Sequence, residues 1–467
     1  KNIELFQLLR NIHPTKEIPQ KLYGSDNKRA YHALRIRLQK NVIDFLGKDG
    51  LQSEALEEVG IYKLVFLGRK FLQKQHYEVG IEFLLLAEEK AARVQHYVLL
   101  NEIYHSLVQY SYTTDKLDVE KVIKTHAANG SFLIQEERLN VVYAVIQNRL
   151  KEHLHGKRNE IEDNLIPNLI EEYKIDLSSF TTYKALFQYI KIFLAVARAK
   201  NDYYGFIESI EKQYQYVREV QEDSDRQLFY HTRFLYSMAN TFFRSKNFTK
   251  CGEYIVILKT LMDSKNFTYK ERFQYKYTIM ASLNANYSGR NNEAIAMLDS
   301  VNFKKVQNFR DKCELTTIYI LYLMHGEEFN KAKSFISSLF HTDKYYEDRM
   351  GIDWLMKFKL IEIILYFELE ENDLLESRIR SFKRSFIPYL TKQKDFRVIQ
   401  FFKLVEKMFL QPEMLKEDKF LESVETSFDI DDTIKNEDVF VQSYYGWMKE
   451  KILNQNLYKT TLELATL

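Results

Sequence analysis

The chain has 467 residues, 45% of them hydrophobic and 28% charged, with a net charge of +2. That length permits a large buried core, and that balance is neither the footprint of a nucleic-acid binder nor the signature of a disordered acidic chain. Only 14 glycines and 5 prolines are present, too few for the many tight turns of a β-sandwich or α/β fold of this size, so long helices joined by short polar corners are expected.

In chain order, Leu5–Ile12 reads as a short amphipathic helix, broken at His13-Pro14 and again at Ile18-Pro19. A basic helix follows, carrying Lys28, Arg29, Arg35, Arg37 and Lys40. From Tyr31 to Leu46 the apolar positions Leu34, Leu38, Val42, Ile43, Phe45 and Leu46 recur at helical spacing. The same period runs through Val79, Phe83, Leu84, Leu86, Ala87 and Ala91. Polar corners then interrupt the pattern at Lys200–Asp202, Lys246–Asn247, Gly289–Asn292 and Glu370–Asp373, where side chains or a left-handed backbone can end a helix. Taking Asn201, Asn247, Asn291, Phe329 and Asn372 as markers, the corners recur every 38–46 residues, inside the range of helical arrays. Past Glu413 acidic residues dominate, with Asp429-Ile-Asp-Asp432 at their centre, before a final helix near Val439–Leu453.

Each corner leads into a related phrase. Tyr77/Gly80/Phe83, Phe248/Gly252/Ile255 and Phe329/Ala332/Phe335 place a ring, then a small residue, then an apolar residue. In this the chain resembles the tetratricopeptide-like helical-repeat superfamily over roughly Gln75 to Pro388. There a small residue lets paired helices approach and the ring fills the adjoining gap. The unit here is longer than the usual ~34 residues, and the closing proline is missing. The resemblance implies an all-α fold, a right-handed superhelical solenoid of antiparallel helix hairpins. Its expected divisions are a distinct helical segment over 1–70, repeats over 71–412, and acidic capping helices over 413–467.

No nucleotide-binding, hydrolase or metalloprotease motif occurs, and glycine-rich phosphate loops are absent. His153 and His155 stand two residues apart, which on a helix turns them about 200° from each other, away from a shared metal. His105 could pair with Glu102, three residues away. His325 ends a helical stretch, where the helix dipole favours a charged ring. Glu57-Glu58 and Glu370-Glu371 read as solvated faces. Arg378, Arg380, Lys383 and Arg384, interleaved with Phe382, Phe386 and Tyr389, admit two readings: a single-strand-binding track, or an apolar stripe with a basic solvent side.

No catalytic residue, metal or cofactor is therefore expected, and the chain reads as a non-enzymatic scaffold or adaptor. Its partner would be a peptide or helical segment of another protein, held in the groove lined by the first helices of each pair. The expected first helices are Tyr183–Ala199, Gln227–Arg244 and Phe273–Tyr287. Their rings Tyr189, Tyr230, Tyr236, Tyr275 and Tyr277, with Arg380 and Arg384, are the candidate anchors. The alternative is a peptide-responsive regulator that signals through the basic amino-terminal helix. Nucleic acid is not the expected partner, because no wider basic track is present. No apolar run reaches the ~18 residues of a membrane span, and no signal-peptide pattern follows Lys1. The two distant cysteines, Cys251 and Cys313, read as buried inert thiols, which together suggest a cytoplasmic location.

Overall fold

The helices end in one recurring way. At seven corners the residue after the helix turns left-handed: Gln75, Gln95, Lys174, Lys246, Gly289, Glu327 and Glu370, with φ between 50° and 82°. At Lys246 its N–H bonds to the Phe243 carbonyl at 3.0 Å, and Asn247 N–H reaches Phe242 at 2.9 Å. The other six repeat this pairing, which satisfies carbonyls the helix end would otherwise orphan. Of these seven, only Gly289 is a glycine. Elsewhere a lysine, glutamine or glutamate tolerates a conformation that glycine adopts freely, which is how so glycine-poor a chain still turns. Glu370 is exposed, so Glu370→Gly is expected to raise stability by about 0.5–1 kcal/mol. At Gly289 a Cβ would meet only Leu462 at 3.8 Å, so Gly289→Ala is expected to cost about 1 kcal/mol through the backbone alone. Urea unfolding of the two variants checks both signs.

The computed structural model describes residues 1–10, 17–24, 27–52, 57–115, 117–154, 164–177, 180–200, 207–220, 228–339, 341–393, 396–416, 420, 424, 439–453 and 455–466. Among these it contains 22 α-helices and no strand, as an all-α fold requires. The corner at Asn201, the ring of His155 and the Asp429–Asp432 run lie outside the described residues. Contacts divide the chain into two units, Lys1–Gln135 and Glu136–Leu467.

The first unit holds α1 (Asn2–Arg10), α2 (Ile18–Tyr23), α3 (Lys28–Gln52), α4 (Glu57–Gln73), α5 (Tyr77–Arg93), α6 (Tyr97–Tyr110) and the start of α7 (Val119–Leu154). Pro19 does not break a helix here. It sits in the first turn of α2, where no N–H is needed. Leu5, Ile18, Leu22 and Leu34 form a small core of their own, separate from the one shared by α4, α5 and α6. Residue 70 lies inside α4, which pairs with α5. The expected close approach is present there: a Cβ on Gly80 would sit 2.7 Å from Leu72 Cγ and 3.0 Å from the Gly68 carbonyl oxygen.

The second unit continues α7 and adds α8 (Leu165–Glu172), α9 (Tyr183–Lys200), α10 (Ile207–Val220), α11 (Leu228–Arg244), α12 (Phe248–Met262) and α13 (Lys270–Tyr287). Then come α14 (Asn291–Asp299), α15 (Phe309–His325), α16 (Phe329–Ser337), α17 (Asp343–Met350), α18 (Ile352–Glu368), α19 (Asn372–Gln393) and α20 (Phe396–Leu410). The last two are α21 (Val439–Leu453) and α22 (Leu457–Thr466). Sequence neighbours pair as α11 with α12, α13 with α14, α15 with α16 and α18 with α19, an arrangement compatible with a helical repeat. The first helices also touch in series, α9 to α11 to α13 to α15 to α18. Two pairs of second helices are linked as well: Tyr254 of α12 donates to Glu211 of α10 at 3.2 Å, and Lys331 of α16 pairs with Asp299 of α14 at 3.1 Å.

Three first helices are buried all round for about two turns, at Ile279–Tyr287, Ile318–His325 and Leu360–Tyr366. A helix in a two-layer array would keep one side wet. The cover comes from α21 and α22. Ser443 bonds to the Tyr287 hydroxyl at 2.9 Å, Tyr444 donates to the Lys357 carbonyl at 3.0 Å, and Tyr458 donates to the Asn286 carbonyl. Trp447 lies edge-on to Phe367, 5.3 Å between centroids, and its indole N–H donates to Glu368, which also takes Lys451 at 2.8 Å. The closing pair therefore lies against α13, α15 and α18.

Candidate partner-binding face

The distal half of α7 and α9 run side by side in the same direction. Lys184 pairs with Glu136 at 2.9 Å, Gln188 donates to Asn140 at 3.2 Å, and the Lys191 ammonium lies 4.5 Å from the centre of the Tyr143 ring. The residue offset is 48 at each rung, from 184 − 136, 188 − 140 and 191 − 143. The row continues onto the next first helices. Arg233 of α11 lies 4.2 Å over Phe187 of α9 and 5.5 Å over Phe229, and Arg272 of α13 covers Phe229 at 4.6 Å. Rings and cations thus alternate across four adjoining helices, each cation held against the negative face of a ring.

Lys191, Arg233 and Arg272 meet no counter-charge among the described residues. Among the described residues no carboxylate lies within 4.0 Å of Lys191, Arg233 or Arg272. Burial and then the nearby Arg233 hold the Lys191 ammonium below its ordinary pKa. Arg233 is likewise lowered, by burial first, with Arg272 pushing the same way. Lys184 differs, because Glu136 neutralises it.

The tyrosines expected to anchor a partner divide. Tyr189 is 2% exposed, edge-on to Phe180 and Phe193, and burial pushes its phenol up to about 12. It packs the core and offers no ring to a partner, because it points to the side of α9 opposite the partly exposed Gln188, Lys191 and Ala195. Tyr230 is half-buried with Lys184 5.5 Å from its ring centre, so it borders the cation row. Tyr236 and Tyr275 are half-buried three residues after Arg233 and Arg272, on the same helix faces. Tyr277 instead faces Lys259 of α12 at 5.6 Å. Arg380 and Arg384 are exposed on α19, which packs on α18 and α20; Arg380 pairs with Glu376 at 2.8 Å. Nearby, Arg378 meets buried Glu362 at 2.9 Å and Lys383 meets Glu406 at 2.8 Å, while Phe382 and Phe386 are core residues. The basic stretch is thus a largely paired solvent side over an apolar stripe.

The corner histidine is a packing group. His325 is 3% exposed, bonded to Asn286 at 3.3 Å and set beside Tyr287 and Tyr458. Burial lowers its pKa to about 3, so it is neutral and the expected dipole-favoured charge is absent. Glu102 pairs with Arg69 at 3.3 Å and His96 caps α6 through Leu99 N–H. Cys251 and Cys313 are buried, unpaired and pushed up by desolvation to about 12 and about 11, which makes them inert thiols. Among the described residues no group of three metal-ligating side chains converges, and no helix is long and apolar enough to cross a membrane.

The cation row was absent from the sequence expectation, yet it left a trace. Phe187-x-x-x-Lys191 and Phe229-x-x-x-Arg233 repeat a ring and a cation at one-turn spacing, 42 residues apart on consecutive first helices. No family model matches this chain, and no curated protein matches it in sequence.

Proposed function

We propose that this protein is a non-enzymatic interaction scaffold of tetratricopeptide-like architecture, which receives a segment of a partner protein across the adjoining faces of α7, α9, α11 and α13. The observation that carries this reading is the row formed by the rings of Tyr143, Phe187 and Phe229 and the cations over them, which no carboxylate among the described residues neutralises. Large rings with few rotatable bonds suit a docking surface, and a series of parallel first helices suits an extended or helical segment laid across them. Such arrays coil into a right-handed superhelix whose inner surface the first helices line. Two buried, unpaired thiols fit a reducing compartment, and the cytoplasm is the proposed location.

Affinity capture from the native source tests the scaffold role. Proteins retained by the wild type are expected to be lost with the double variant Tyr236→Ser/Tyr275→Ser. They are expected to be kept with Tyr112→Ser, which alters a ring 81% exposed in the first unit. Identical retention by all three proteins would remove this face from the proposal.

A further inference from the structure

We propose that the segment received by this face is acidic and extended, its carboxylates neutralising Lys191, Arg233 and Arg272 in turn. The inference rests on the scaffold reading and adds the chemistry of the partner. Its basis is a cost already present in the free protein: three cations share two phenyl rings without an anion among the described residues. Lys191 and Arg233 are half-buried and repel each other across the Phe187 ring, and an arriving carboxylate both removes that repulsion and gains charge-assisted hydrogen bonds. The stacking fixes each guanidinium in advance, so less side-chain freedom is lost on binding.

The geometry also gives a spacing. First helices pack about 8–10 Å apart, and an extended chain advances about 3.3 Å per residue, so acids at every third position would meet successive helices. Between the Lys184 and Lys191 rungs, the amides of Asn140 and Gln188 offer polar groups to a peptide backbone.

Nucleic acid fits less well. Base stacking needs open ring faces, whereas Lys191 and Arg233 lie over Phe187, and Arg233 and Arg272 over Phe229.

Fluorescence anisotropy on the full chain tests this with three labelled probes: (Glu-Ser-Ala)₄, its (Gln-Ser-Ala)₄ control, and a single-stranded dodecanucleotide. The glutamate peptide is expected to bind at least tenfold tighter than the glutamine peptide, and less tightly at 200 mM than at 20 mM NaCl. Arg233→Gln and Lys191→Gln should each weaken it several-fold, and Arg233→Lys less. With the lysines isotopically methylated, the lowered Lys191 titration should move upward when peptide is added, which a purely structural lysine would not show. Equal binding of the two peptides, tighter binding of the oligonucleotide, or binding indifferent to both substitutions overturns the acidic-segment proposal. The scaffold reading would survive any of these if the tyrosine variants still lose their captured partners, and it would fall separately if they do not.

Discussion

Replacing Trp447 with alanine is expected to lower the free energy of unfolding by about 3–5 kcal/mol, the range for removing a large buried ring from a core that cannot collapse around the gap. The side chain is 1% exposed. With Leu457 and Tyr444 it closes a small interior crevice against Leu321, Met324, Ile361 and Ile364. That crevice holds the closing pair to α15 and α18. The backbone around it has little slack, since a Cβ on Gly446 of α21 would lie 2.6 Å from Thr461 Oγ1 and 3.1 Å from Thr461 Cα of α22. Trp447→Phe keeps most of the apolar contact but shortens the ring and removes the N–H donated to Glu368, which Lys451 still neutralises. Its expected cost is about 1–2 kcal/mol. Urea unfolding followed by far-ultraviolet circular dichroism measures both. A Trp447→Ala loss below about 1 kcal/mol would mean that α21 and α22 do not brace the helices they cover.

Acidification supplies the second large effect. His231 stacks on Tyr183 with centroids 3.8 Å apart and shares a hydrogen bond with the Tyr214 hydroxyl at 3.0 Å, with Arg218 nearby. His325 faces Asn286, Tyr287, Tyr322 and Tyr458. Among the described residues neither ring has a carboxylate to welcome a proton, and burial lowers both to about 3. Below the ordinary histidine value near 6.5 the unfolded chain binds protons at these rings and the folded chain does not, so stability falls as pH drops through that value. At pH 5 the expected loss is about 2 kcal/mol per ring relative to pH 7. Asp311, Glu314 and Glu450 act in the opposite direction, because burial raises each of them and the folded state takes up their protons first. Comparison of slopes isolates the rings: His231→Gln and His325→Gln should each flatten the decline between pH 7 and pH 5, whatever they cost at pH 7. Proton resonances of the two imidazoles should show no titration between pH 8 and pH 5. A midpoint near 6 for either ring would refute its assignment as a neutral core group.

The helical class and several helix boundaries were legible because they are local. Asn247 caps α12 by accepting from Lys250 N–H at 3.0 Å, and α11 and α13 end at Arg244 and Tyr287, where the corner residues predicted they would. The identity of the left-handed residue was less legible, since it falls on Lys246, Glu327 and Glu370, which carry no turn preference of their own. Tyr189 misled for a related reason. A surplus of rings on one helix suggests an exposed aromatic face, but the side of α9 that carries Tyr189 is enclosed by neighbours that periodicity within the helix cannot reveal. The cations of the candidate face were hidden because each needs a ring from an adjoining helix to define its setting. Only the repeated ring-and-cation spacing at Phe187/Lys191 and Phe229/Arg233 pointed that way.

The bonds from Tyr287 to Ser443 and from Asn286 to Tyr458 join positions 156 and 172 residues apart. During vectorial synthesis, α13, α15 and α18 leave the ribosome well before the two helices that cover them. Their apolar flanks must then stay exposed, or be shielded by a chaperone, until α21 and α22 emerge. Loop closure over such a span is slow compared with hairpin pairing, so these three helices should be the last part of the second unit to acquire amide-exchange protection during refolding, even though they end up among its most deeply enclosed.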